Sequence, residues 1–172
     1  MQTPSRLRIQ DSVHGGLLAR IRLTEFRKQQ MILLDTNIIS ELMKTHPNPA
    51  VIEWLDEQFS NELYLPAIVK AEIEMGVAIL DNGKRKQALL QAAKLIFMSF
   101  SNRCLPFDSE TASHYAKIIA FAKKQGRPMS VEDAQIAAIA LQNSALLATR
   151  NTTDFDFLDN LKLVNPWLYS SN

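Results

Sequence analysis

The segment Ile32-Leu33-Leu34-Asp35-Thr36-Asn37 is an apolar run that ends abruptly in an acid, followed by two residues that favour helix starts and turns. Bounded in this way, it reads as a short buried strand with Asp35 at its exit and a helix beginning directly after it. That helix, 36–43, is broken by His46-Pro47-Asn48-Pro49. A second helix, 50–59, places Val51, Trp54, Leu55 and Gln58 at helical spacing, with Glu53, Asp56 and Glu57 outward. Leu63-Tyr64-Leu65 is a short strand closed by Pro66.

The alternation continues downstream. A third helix, 67–80, stops at Asp81-Asn82-Gly83, and a fourth, 84–97, turns Leu89, Leu90, Ala93 and Ile96 inward. Residues 104–107 are extended, Asp108 caps a fifth helix ending at Gly126, and Ser130 caps a sixth over 131–142. Strands at 145–149 and 161–164 flank the loop of residues 150–154. Short apolar strands alternating with helices predict a three-layer α/β domain, a central mostly parallel sheet flanked by helices. In such open sheets ligands collect at the carboxyl ends of the strands. Asp35 and Asp154 both fall just past strand ends.

A chain of 172 residues is long enough for one well-buried core and short for two. No stretch approaches the roughly 18 apolar residues of a membrane span, so no membrane role is expected. The net charge of +1 is too small for a protein that grips nucleic acid through a uniform positive field. It hides an asymmetry: residues 1–30 carry six cations against two acids, a net of about +4. Those residues show no helix or strand period and end just before a second methionine, Met31. They read as a poorly ordered extension, with the functional domain at 31–172. The lone Cys104 excludes an internal disulfide and fits a reducing compartment.

Four acids carry the candidate chemistry, and each has a structural alternative. Asp35 is either a metal ligand or a helix N-cap worth about 1 kcal/mol. Glu72 lies four residues after Ile68, three after Val69 and three before Met75, within an apolar stripe, where a buried carboxylate needs a cation or donors. Its alternative is an acid at the core rim. Asp133 heads the face of Ile136, Ala137 and Ala140, or else serves a capping box beside Glu132. Asp154 is a ligand or an Asx-turn. Clustered carboxylates raise one another's pKa unless a cation sits among them, and all-oxygen donors select Mg²⁺ or Mn²⁺. Such an ion serves phosphodiester hydrolysis. Thr36, Asn37, Thr149 and Asn151 are placed to support the cluster by hydrogen bonds. Arg150 and Arg127 are candidates for holding substrate phosphates, or ordinary surface charges.

Taken together, Met31-Ile32-Leu33-Leu34-Asp35-Thr36-Asn37, Ile39-Ser40-Glu41-Leu42, Ala71-Glu72, Gly126-Arg127-Pro128, Asp133-Ala134-Gln135-Ile136-Ala137-Ala138, Thr149-Arg150-Asn151 with Asp154-Phe155, and Asn165-Pro166-Trp167 resemble the PIN-domain toxins of the VapC and FitB type. The resemblance spans roughly residues 31–167. It implies a PIN-like fold and a Mg²⁺- or Mn²⁺-dependent endoribonuclease, the cytoplasmic toxin of a bacterial toxin–antitoxin pair. Asp35, Glu72, Asp133 and Asp154 would form its acidic site, with Thr149 and Asn151 in support. The implied partners are a VapB- or FitA-like antitoxin, an RNA substrate, DNA only through the antitoxin, and a second copy in a homodimer. The alternative is a FitB-like, non-cleaving partner of a DNA-binding antitoxin in a repressor complex. Where the family has Thr or Ser three residues before the helix acid, this chain has Val69. Glu41 is a possible outer group of the site.

Overall fold

The computed structural model describes residues 30–170; the extension expected at the N-terminus lies, apart from Gln30, outside them. Five short strands form one sheet: β1 (Ile32–Leu34), β2 (Leu63–Pro66), β3 (Cys104–Leu105), β4 (Leu146–Ala148) and β5 (Lys162–Val164). Their order is β3-β2-β1-β4-β5, and every pairing is parallel. The chain builds outward from β1 through β2 to β3, then crosses to the other side of β1 for β4 and β5. The order therefore reverses between β1 and β4, the switch point at which open α/β sheets bind their ligands.

Among the described residues six helices cover the sheet: α1 (Thr36–Leu42), α2 (Pro49–Asp56), α3 (Ala67–Ala78), α4 (Lys84–Ser99), α5 (Ser109–Lys124) and α6 (Val131–Gln142). All three residues of β1 are buried, as a central strand covered on both faces requires. In α6, Ala134 and every residue from Ile136 to Ala140 are buried. The sequence reading gave that helix a single inward face of Ile136, Ala137 and Ala140. In the fold α5 packs along it and α3 also touches it, so it is enclosed on more than one side.

The helix starts follow their caps. Asn48 accepts from the Ala50 N–H with Pro49 at the first position of α2, Asp108 accepts from the Thr111 N–H, and Ser130 from the Asp133 N–H. Helix α5 ends in a Schellman cap: Gly126 adopts φ +66°, its N–H bonds to the Lys123 carbonyl and that of Arg127 to the Ala122 carbonyl. Ser144, at φ 49°, holds the corresponding position after α6, where glycine is the usual residue.

Two inward assignments are corrected. Leu90 is 54% and Met75 60% exposed. The α3–α4 pair meets the core through Val69, Ile73, Val77 and Ala93. Ile79, Leu95 and Met98 on the same two helices are exposed as well. Helix α2 also stops at Asp56, short of the expected Phe59, because a short 3₁₀ turn, Ser60–Glu62, carries the chain into β2.

Candidate acidic site at the sheet switch point

Hydrogen bonding continues one residue past each of the two central strands. The Asp35 N–H reaches the Ala148 carbonyl and the Thr149 N–H the Val164 carbonyl, both at 3.0 Å. This sets Asp35 and Thr149 side by side at the carboxyl edge of the sheet, both buried. The Thr149 hydroxyl donates to Asp35 Oδ2 at 2.6 Å, and Asn37 Nδ2 donates to the same oxygen at 2.6 Å. Asp35 Oδ1 accepts from the Thr36 N–H at 2.7 Å. Asp35 is thus a helix cap and more than a cap. A cap needs one oxygen, and here both are oriented by donors from two separate elements.

The other acids approach from three directions. Glu72, on α3, accepts at Oε2 from the Thr36 hydroxyl at 2.5 Å. Burial raises its pKa, the Thr36 bond opposes this, and repulsion from Asp35, Glu132 and Asp133 adds to the rise. Asp133, half-buried in the first turn of α6, is also pushed up by burial. Ser130 opposes that rise, and Asp35, Asp154 and Glu132 reinforce it. Asp154 ends a 3₁₀ turn, Thr152–Asp154, and is exposed. Asp35, Glu72 and Asp133 therefore feel one another's charge, and Asp154 reaches the group through Asp133.

Among the described residues no three acids, histidines or cysteines stand close enough to enclose an ion by themselves. The donor set nevertheless fits a hard divalent cation. Its oxygens are those of carboxylates, and burial together with repulsion from neighbouring acids raises the pKa of Glu72 and of Asp133. Mg²⁺ is commonly held by one or two carboxylates together with retained waters and substrate phosphates, so a spaced set matches its habits better than a closed cage.

The supporting residues divide. Thr36, Asn37 and Thr149 bond the acids directly, whereas Asn151 acts through its backbone, its N–H donating to Thr149 Oγ1 at 3.0 Å. Val69 is buried in the core, and the hydroxyl on Glu72 comes from Thr36. Arg127 pairs with Asp156 at 2.7 Å, donates to the Thr153 carbonyl at 2.5 Å and lies 4.6 Å from the Phe157 ring centre. Arg150 sits 5.5 Å from the Trp167 ring centre. Glu41 is buried and held by partners of its own. Burial pushes its pKa up, but Lys44 at 2.7 Å, the Asn48 N–H at 2.8 Å and the charge of Arg150 outweigh that and lower it. Glu132, in the first turn of α6, repels both Glu72 and Asp133, and its adjacency to Asp133 is the sequence signal that points to it.

Residues 32–160 match the family model described as PIN domain. Toxin FitB of Neisseria gonorrhoeae is 44% identical over 138 residues, covering 80% of this chain and 99% of its own length. VapC ribonuclease Y4jK of Sinorhizobium fredii is 39% identical over 138 residues, covering 80% and 98%. A solved structure of FitAB bound to the IR36 DNA fragment aligns with TM-score 0.75 at 43% identity, over 83% of this chain and 99% of the matched one.

Proposed function

The chain belongs to the PIN-domain family, and from that premise we propose that it is a Mg²⁺- or Mn²⁺-dependent endoribonuclease, the toxin of a VapBC-like toxin–antitoxin pair. One observation carries the reading. Asp35 repels both Glu72 and Asp133 at the carboxyl edge of a parallel sheet, Asp154 repels Asp133, and burial together with this repulsion raises the pKa of Glu72 and of Asp133. An arrangement that destabilises its own charges in isolation makes physical sense when a cation completes it.

In this reading Asp35, Glu72, Asp133 and Asp154 would surround the ion, one or two of them as direct ligands and the others through its retained waters. When bound, it supplies positive charge to the phosphoryl oxygens and lowers the pKa of an attacking water. The chain's own contribution is orientation. Thr149, Asn37 and the Thr36 N–H fix both oxygens of Asp35, and the Thr36 hydroxyl fixes Glu72. Thr36 thus addresses two acids, joining Asp35 and Glu72 through the start of α1. The exposed Met75, Ile79, Leu90, Leu95 and Met98 of α3 and α4 support a homodimer or antitoxin contact through these helices. An antitoxin partner is in keeping with the FitAB and VapBC complexes among similar structures.

A second reading, a non-cleaving partner in a DNA-bound repressor complex, is favoured by the 44% identity to FitB and by the FitAB–DNA structure. Cleavage of a structured RNA by the purified protein and by Asp35→Asn, each with Mg²⁺, Mn²⁺ or EDTA, separates the two. The nuclease reading expects cutting by the wild type alone, and only with metal. Equal cutting by both proteins, or cutting indifferent to EDTA, removes the metal-nuclease mechanism; no cutting by either leaves the repressor reading.

A further inference from the structure

Asp154 is carried by a single 3₁₀ turn, Thr152–Asp154, which Asn151 does not cap with its side chain. Two backbone bonds close it, from the Asp154 N–H to the Asn151 carbonyl and from the Phe155 N–H to the Thr152 carbonyl, both at 3.1 Å. So short a turn has poor hydrogen-bond geometry and little stability of its own. Phe155 is buried and anchors one side of it to the core. Arg127, from the link between α5 and α6, meets the other side.

Arg127 grips the chain before and after Asp154. Its Nη2 donates to the Thr153 carbonyl at 2.5 Å, and its Nη1 donates to Asp156 at 2.7 Å. The guanidinium also lies 4.6 Å from the ring centre of Phe157, which stacks in turn on Phe121 of α5 with 6.2 Å between centres. The starting point of this arm is fixed, because the Schellman cap of α5 bonds the Arg127 N–H to the Ala122 carbonyl at 3.0 Å. Three residues on, Ser130 accepts from the Asp133 N–H at 3.0 Å and starts the helix that carries Asp133. The link 127–130 therefore addresses Asp133 at one end and the turn of Asp154 at the other, and Arg127, Ser130, Asp133 and Asp154 line one hollow.

We infer that Arg127 is a positioning residue, which clamps the Asp154 turn to the α5–α6 link and so sets where Asp154 stands relative to Asp133. The inference rests on the divalent-cation reading above. It gives the guanidinium a structural occupation in place of the phosphate contact expected from the sequence: a planar fork suits a carbonyl, a carboxylate and a ring face together, which a lysine ammonium cannot satisfy at once. The sign of the effect separates the clamp from bare charge. Arg127 is a cation beside a proposed cation site, so removing its charge alone would tighten metal binding by Coulomb's law, whereas losing the clamp loosens it.

The test has two arms, each on the full-length chain as wild type, Arg127→Gln, Arg127→Lys and Asp156→Asn. In chelator, amide hydrogen exchange read by mass spectrometry should quicken roughly tenfold in the peptide over residues 152–158 of Arg127→Gln and stay within about twofold of wild type elsewhere. Asp156→Asn, an exposed change that leaves Arg127 in place, should quicken the same peptide to a smaller extent, and it decides this arm if Arg127→Gln does not fold. Exchange unchanged in that peptide, or quickened across the whole domain, overturns the clamp. In calorimetric titration with Mn²⁺, Arg127→Gln should bind roughly tenfold more weakly than wild type, the low end of what outer groups of a metal site contribute, and Arg127→Lys should recover part of the loss. Binding equal to or tighter than wild type overturns the positioning role, and weaker RNA binding with Mn²⁺ affinity and exchange unchanged returns Arg127 to holding phosphate. A wild type that binds no Mn²⁺ overturns the metal reading beneath, and is told apart because the exchange arm needs no metal.

Discussion

Replacing Thr149 with valine keeps the shape of a buried side chain and deletes one hydroxyl. That hydroxyl joins the ends of two adjacent strands, donating to Asp35 Oδ2 at 2.6 Å and accepting from the Asn151 N–H at 3.0 Å. A hydrogen bond to a charged group is worth about 1.5–3 kcal/mol. Asp35 keeps Asn37 and the Thr36 N–H, so it is not orphaned, and Asn151 is exposed enough for water to take its N–H. The loss therefore stays near that one bond. For a chain of this size about 2–4 °C of melting temperature follows each kcal/mol, giving a fall of roughly 3–12 °C. Thr149→Ser, which keeps the hydroxyl, should recover most of it. Melting followed by circular dichroism in chelator reads both variants without involving metal. A Thr149→Val protein that melts within about 1 °C of wild type refutes the idea that this bond ties the strand exits together.

Glu72 is raised from an ordinary value of 4.5, first by burial and then by repulsion from Asp35, Glu132 and Asp133, despite the Thr36 bond. Between that value and the raised one the native state holds more protons than the unfolded chain, so metal-free stability falls as pH rises through the window. Glu72→Gln cannot ionise; its melting temperature in chelator should fall less than that of wild type as pH is raised from 4.5, and an equal or steeper fall refutes the shift. Ser144 holds φ 49° after α6, a backbone position costing an L-residue about 1–2 kcal/mol. Ser144→Gly should raise the melting temperature by roughly 2–8 °C, and a lower value contradicts the cap assignment.

Much of the fold was legible because its signals are local. Ser130 and Asp108 announce their helices by capping chemistry that operates within three residues. Gly126 ends α5 because few other residues take its φ. Leu90 and Met75 went astray because helical spacing identifies a stripe without saying whether anything packs on it. The strand order was illegible for a related reason: five short apolar runs look alike, and only tertiary pairing places β4 beside β1. That pairing makes Thr149 a partner of Asp35 across 114 residues of sequence. The destination of Arg127 was hidden too, since Asp156 and Phe157 meet it only through the turn after β4.

Calorimetric titration of Mn²⁺ into the metal-free protein tests the gathering of the acids most directly, because it needs neither substrate nor antitoxin. The wild type should show saturable binding, and Asp35→Asn, altered at the site acid whose two oxygens both accept hydrogen bonds, should show it abolished or greatly weakened. Equal binding by the two proteins, or none by the wild type, contradicts a divalent-cation site at the switch point.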